Sequence, residues 1–204
     1  MKSLLISIQP KRCEKIAKRE ETIEVQKTRP KEETPFKCYI YCTKGENLWL
    51  TQNGVKSKTE LAGYLLNGKV IGEFVCDKVD EYKFHNGLTE FNSMGLPSRI
   101  YGSYLIFVDE YKAMCLSYDE VKTYGKGKTL YGWHISDLKI YDKPKELSEF
   151  KKTKGRIART CGMQARNGLC CAIDHEELCD NVKCCFKAPS PSQSWCYVEE
   201  LTND

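Results

Sequence analysis

Short apolar runs, each ended after a few residues by polar or turn-forming positions, organise this chain into strands and brief helices. Leu4 to Ile8 is an apolar run of strand length. Pro10 stands where a helix can begin, because its missing N–H costs nothing at the first helical position. Cys13, Ile16 and Ala17 then recur at helical spacing and give residues Lys11 to Lys18 one apolar face. In the next run Ile23 and Val25 alternate with Thr22, Glu24 and Gln26. Period two sets the three polar residues on the opposite face of a strand from the two apolar ones.

The same reading continues along the chain. Phe36 to Cys42 predicts a third strand, with Phe36, Cys38, Ile40 and Cys42 on one face. A polar connection follows, with an Asn53-Gly54 turn and a helical piece over Lys58 to Leu66. Lys69 to Val79 predicts a strong strand; Val70, Ile71, Phe74 and Val75 call for a bulge or burial on both faces. Residues 86–99 are turn-rich, and Ser103 to Val108 is an apolar run of undecided type. Ser117 with Glu120 three residues on forms a capping box, predicting a helix that ends near Gly125. Trp133 to Tyr141 predicts a strand, Lys145 to Phe150 a helix, and Trp195 to Leu201 a closing strand. This order fits an α+β protein, residues 1–204 in one domain, built on a small twisted β-barrel with peripheral short helices.

The opening resembles the ASCH family, a branch of the PUA-like β-barrels. The likeness lies in Ile6-Ser-Ile-Gln-Pro10, the amphipathic turn of helix after it, and Thr22-Ile-Glu-Val-Gln-Lys-Thr-Arg-Pro30. Further blocks resemble phage and bacterial members. They are Gly68-Lys-Val-Ile-Gly-Glu-Phe74, Tyr131-Gly-Trp-His-Ile-Ser-Asp-Leu138, Tyr141-Asp-Lys-Pro-Lys-Glu-Leu147 and Gln193-Ser-Trp-Cys-Tyr-Val-Glu-Glu200. The resemblance implies a site for RNA or a modified nucleotide, with Thr22, Glu24, Gln26, Arg29, Trp133 and His134 as ligand-binding candidates.

The chain departs from that pattern where chemistry would sit. The family's helix-to-strand turn is Gly, any residue, Lys, Thr, with Arg four residues after the Thr. Here Arg19, Glu21 and Gln26 occupy the Gly, Lys and Arg positions, and Arg12 stands where the helix usually carries Trp. In a small amidohydrolase of the family the lysine acts as base or proton shuttle, a role that suits a lysine of lowered pKa. Its threonine falls at Glu24 here, and Glu120, on a later helix, stands for its glutamate. Lys to Glu removes two positive units and Arg to Gln one, against one gained at Arg12. Losing a cation about 4 Å from a phosphate forfeits a gross ~4 kcal/mol at an effective dielectric near 20. If the Gly position requires positive φ, Arg19 carries strain or the turn has rearranged.

Composition narrows the class without naming a ligand. The net charge of +4 permits nucleic-acid contact and does not require it. The run Leu4 to Ile8 is too short for a signal peptide, and no segment has the length of a bilayer span. A cytoplasmic protein is expected, with its 12 cysteines mostly reduced or metal-bound. Residues 155–191 form a cysteine-rich insert before the last strand. Cys161, Cys170 or Cys171, Cys179, and Cys184 or Cys185 could supply a tetrahedral zinc site, which would give a polar segment folding energy. Reduced thiols, disulfides or an iron–sulfur site are the alternatives.

Two further groups complete the candidates. Trp133 would stack on a base and His134 contact it, or Trp133 packs in the core and His134 makes a structural hydrogen bond. Lys151, Lys152, Lys154, Arg156 and Arg159 form a basic run that could track a phosphate backbone or simply be solvated. Three functions follow as expectations. The first is binding of RNA or a modified nucleotide without lysine-dependent catalysis. The alternatives are amidohydrolysis of an N-acylated cytidine-type nucleoside, with Glu21, Glu24 and Glu120 as weak catalytic candidates, and a phage-encoded interaction scaffold.

Overall fold

The computed structural model describes residues 2–57, 63–86, 101–151 and 194–201. The chain opens with strand β1 (Lys2–Ile8), helix α1 (Pro10–Ala17), and strands β2 (Ile23–Gln26) and β3 (Phe36–Cys42). Short strands β4 (Trp49–Thr51), β5 (Gly54–Lys56) and β6 (Tyr64–Leu65) precede β7 (Lys69–Cys76), β8 (Val79–Tyr82) and β9 (Phe84–Asn86). Strand β10 (Tyr101–Tyr104) leads to helices α2 (Val108–Ala113) and α3 (Tyr118–Gly125). Strands β11 (Leu130–His134) and β12 (Ser136–Glu146), a 3-10 turn at Leu147–Glu149, and β13 (Trp195–Glu199) follow.

The fold is α+β and mostly sheet, as the patterning predicts. The described strands pair in four separate sheets, so one closed barrel is not seen among the described residues. The chain divides into two compact units. One holds Met1–Pro10, Cys38–Glu73 and Ile140–Asp204; the other holds Lys11–Lys37 and Phe74–Lys139.

In the first unit, β1 lies parallel to β3 (Leu4 opposite Cys38, Ile8 opposite Cys42) and antiparallel to β13 (Lys2 opposite Glu199). A strand flanked on both sides and covered on both faces needs a continuous apolar run, and Leu4, Leu5 and Ile6 are all buried. Leu5, Tyr39, Tyr41, Val70, Phe150 and Val198 form a core in which the Tyr39 and Phe150 rings meet edge to face at 4.9 Å. At β4–β5 the Asn53-Gly54 signal is realised as a hairpin, with Gly54 at φ +88° and the Thr51 hydroxyl donating to the Gly54 carbonyl.

The second unit carries the three-stranded sheet β2-β11-β8 and α1 to α3. Its core is Ile23, Val25, Tyr82, Tyr104, Met114, Val121 and Leu130. Gly132 lies opposite Val25, and a Cβ there would meet the Tyr82 ring at 2.7 Å, so the close approach of ring to strand needs glycine.

Several expectations are revised. Residues 64–65 are strand, not the end of a helix; residues 58–62 and the turn-rich 87–99 lie outside the described residues. The strand from Lys69 stops at Cys76, and Val70 and Ile71 are both buried, as two-faced burial requires. Trp133 to Tyr141 is two strands, broken at Ile135, with Asp137 at φ +47°. The helix expected over 145–150 is instead the end of β12 and a 3-10 turn. Pro144 falls on β12, an edge strand of its sheet, the place where a strand accepts proline. The undecided run 103–108 resolves into the end of β10 and the start of α2. Strand β3 is buried on both faces rather than one.

Candidate functional site

The site grows from the way α1 ends. The N–H of Glu20 bonds the Lys15 carbonyl at 2.9 Å and that of Arg19 bonds Ile16 at 2.9 Å, the paired bonds of a Schellman stop. That motif needs a left-handed residue at its turn, usually glycine, and Arg19 supplies it at φ +60°. The turn has thus kept its shape at the cost of strain on an arginine. A side chain costs about 1–2 kcal/mol in this region, and glycine recovers part of that at an entropic cost of roughly 0.5–1 kcal/mol. Arg19→Gly should therefore raise stability by ~0.5 kcal/mol in urea unfolding; a loss would mean that the exposed Arg19 bond to the Leu138 carbonyl (3.2 Å) matters more than the strain.

Past the turn, Glu21 is directed inward. The Arg12 Nη2 donates to Glu21 Oε1 at 2.6 Å and to Glu24 Oε2 at 3.2 Å. Gln26 Nε2 donates to the other Glu24 oxygen, Oε1, at 2.8 Å. Arg12 is one-fifth exposed as a side chain, whereas Glu21, Glu24 and Gln26 are buried. Cys13 and Ile16 hold the apolar side of α1 in the interior, and Arg12 flanks that side. Two of the departures from the resembled pattern, arginine at 12 and glutamate at 21, thus touch each other. Arg12 sets a cation directly against Glu21, whose side chain is held inside rather than turned to solvent.

The electrostatics follow from burial. Desolvation pushes the Glu21 carboxyl up to about 10, and the charge on Glu24 pushes the same way; Arg12 opposes both without cancelling them. Glu21 therefore holds a proton at neutral pH. With both carboxyls ionised, Glu21 Oε2 has no donor, whereas a protonated Glu21 can bond to Glu24. Burial works against the Arg12 charge, and Glu24 and Glu21 more than offset it, so Arg12 stays charged. The cluster thus combines a guanidinium, one carboxylate, one carboxylic acid and an amide.

The remaining sequence candidates fall in different surroundings. Thr22 is exposed although it shares its strand face with Glu24 and Gln26; its backbone ties the N–H to Ala113 and the carbonyl to Ile135. Arg29 is exposed. Trp133 is fully buried opposite Glu24, edge-on to Phe36 at 5.5 Å, and offers no ring face to a base. His134 Nε2 pairs with Asp80 Oδ2 at 2.6 Å, and Asp80 also binds Lys78. Glu120 completes the Ser117 cap, accepting the Ser117 N–H at 2.8 Å; that bond holds its carboxyl below the usual range. Lys151 is exposed. Lys152, Lys154, Arg156, Arg159, Cys161, Cys170, Cys179 and Cys184 lie outside the described residues, as does the rest of the insert. Among the described residues no group of His, Cys, Asp and Glu could hold a metal ion, and no helix is long and apolar enough to cross a membrane.

The sequence offers Arg12 as a replaced Trp and one added charge, and does not show that it joins Glu21 to Glu24. The signal was present as two departures of opposite charge on neighbouring elements.

Among solved structures the chain is similar to ASCH from Zymomonas mobilis, at 15% identity over 71% of this chain and 73% of that one, with a TM-score of 0.44. It is similar to a mutant form of the same protein at 14% identity, over 71% of this chain and 76% of that one, with a TM-score of 0.43. No family model matches the chain. No curated protein matches it.

Proposed function

We propose that this chain is an ASCH-type, PUA-like module that binds RNA or a modified nucleoside and does not hydrolyse it by a lysine mechanism. The observation that carries the second half is the 2.6 Å bond from Arg12 to Glu21, which is buried where a lysine base would stand. A lysine base works through an amine that can give up its proton, whereas a guanidinium does not do so in a protein. Both oxygens of Glu24 are occupied, by Arg12 and Gln26, so neither is poised to activate water. Binding is supported by the sequence resemblance; within the cluster Arg12 alone is partly exposed, and a guanidinium suits a phosphate.

Two measurements test this reading. The purified chain should not deacetylate N-acetylcytidine, and its binding of short RNA should weaken as salt rises. Glu21→Lys alone would set an ammonium beside Arg12, so the informative variant is Arg12→Trp with Glu21→Lys. Gain of turnover in that double variant fits a site that has lost its lysine chemistry. Turnover by the natural chain would overturn the non-catalytic half, and RNA binding that ignores salt would overturn the phosphate contact.

A further inference from the structure

We propose that Tyr124 on α3 is a stacking post for an unpaired base of single-stranded RNA, with Lys27 serving the adjoining phosphate. This rests on the RNA-binding reading and assigns it a surface. Tyr124 is 37% exposed, in the last turn of α3. The Lys27 ammonium stands 4.4 Å from its ring centroid. Burial pushes the Tyr124 hydroxyl's pKa up, the Glu24 charge adds to this and Arg12 opposes it. One helical turn earlier on the same face is Glu120, whose carboxylate feels Lys15 and Lys11. Lys27 is the cation that the geometry sets against this flank of α3.

The acid one turn earlier, Glu120, has its carboxylate engaged by the Ser117 N–H and hydroxyl. An exposed aromatic ring beside a lysine is the composition that binds single strands, with stacking worth about 1–3 kcal/mol per base. The ammonium over the ring shows that its face is reachable and electron-rich. A base arriving there takes the place of Lys27, and the exposed lysine turns to the phosphate. The second exposed tyrosine of α3, Tyr118, lies on the other flank of the helix, near Lys122, and provides an internal control.

The test is fluorescence anisotropy with a labelled short oligouridylate, at several salt concentrations. Tyr124→Ala should weaken binding by roughly 5–100-fold, the range that stacking energy implies. Tyr124→Leu keeps the apolar bulk without the π face and should lose as much, while Tyr124→Phe stays within about twofold. Lys27→Gln should reduce the slope of log affinity against log salt by about 0.7, one phosphate on a single strand. Tyr118→Ala should change nothing. Wild-type affinity in both Tyr124→Ala and Tyr124→Leu, in protein that still binds the strand, would overturn the stacking post and leave the RNA reading standing. Equal binding of a duplex of the same length would overturn it too. Failure of the natural chain to bind any strand or nucleoside would remove both.

Discussion

Replacing Arg12 by methionine should destabilise the protein by about 3–5 kcal/mol at neutral pH, the usual result of removing one partner from a buried ion pair. Methionine nearly keeps the volume, so the loss is electrostatic. Glu24 would keep its bond from Gln26 and lose its cation, and Glu21 would lose the donor 2.6 Å away. Lys18→Met supplies the contrast. Lys18 pairs with Glu14 at 2.8 Å on the surface of α1, with nearly half of its side chain exposed. Such exposed pairs contribute little, because water screens them. Urea unfolding of both variants decides the matter: if Arg12→Met costs no more than Lys18→Met, the cluster does not anchor α1 to β2.

Glu21→Gln should stabilise the protein in alkaline solution. A carboxyl that titrates near 10 when folded and at about 4.5 when unfolded binds its proton more tightly in the folded chain. Its contribution is complete below the lower value and is lost as pH rises through that window, because the unfolded chain gains by ionising. Glutamine cannot ionise. Its carbonyl can accept from Arg12, and its amide can donate to Glu24 as the carboxylic acid does. The gain at pH 8 should be on the order of 2–4 kcal/mol, vanishing near pH 4. Stability measured from pH 4 to pH 9 should fall in the natural chain and be flatter in the variant. Parallel profiles would show that Glu21 ionises normally and that Arg12 faces two carboxylates.

Local chemistry was legible in the sequence wherever it is self-contained. Ser117 and Glu120 announce their helix because both halves of the cap lie within three residues, and the structure forms both bonds. Pro10 marks the start of α1 for the same reason. Strand ends were less legible, since sheet partners decide them. Pro144 looks like a strand breaker until β12 is known to be an edge. Helix α2 has no polar residue at its N-cap; Glu110 instead reaches back to the Phe107 N–H at 2.9 Å. Within the site, alternation predicted that Glu24 and Gln26 share a face, and their 2.8 Å bond agrees. It could not show that Thr22, at the strand's mouth, would be exposed, or that Arg12 would reach across from the helix. Both depend on how α1 lies against β2, a tertiary fact that no period within either segment encodes.

The pairing of β1 with β13 has a consequence for the order of events during synthesis. Residue 2 lies opposite residue 199, so one side of β1 stays open until the last of these strands leaves the ribosome. Until then its unpaired N–H and carbonyl groups can template another chain. Pairing so distant in sequence also closes slowly. The nascent chain therefore passes through a window in which β1 and β3 can form one side of the sheet while the other awaits its final strand. A holdase that covers an apolar edge would act in that window, and truncation before Trp195 would leave it permanently open.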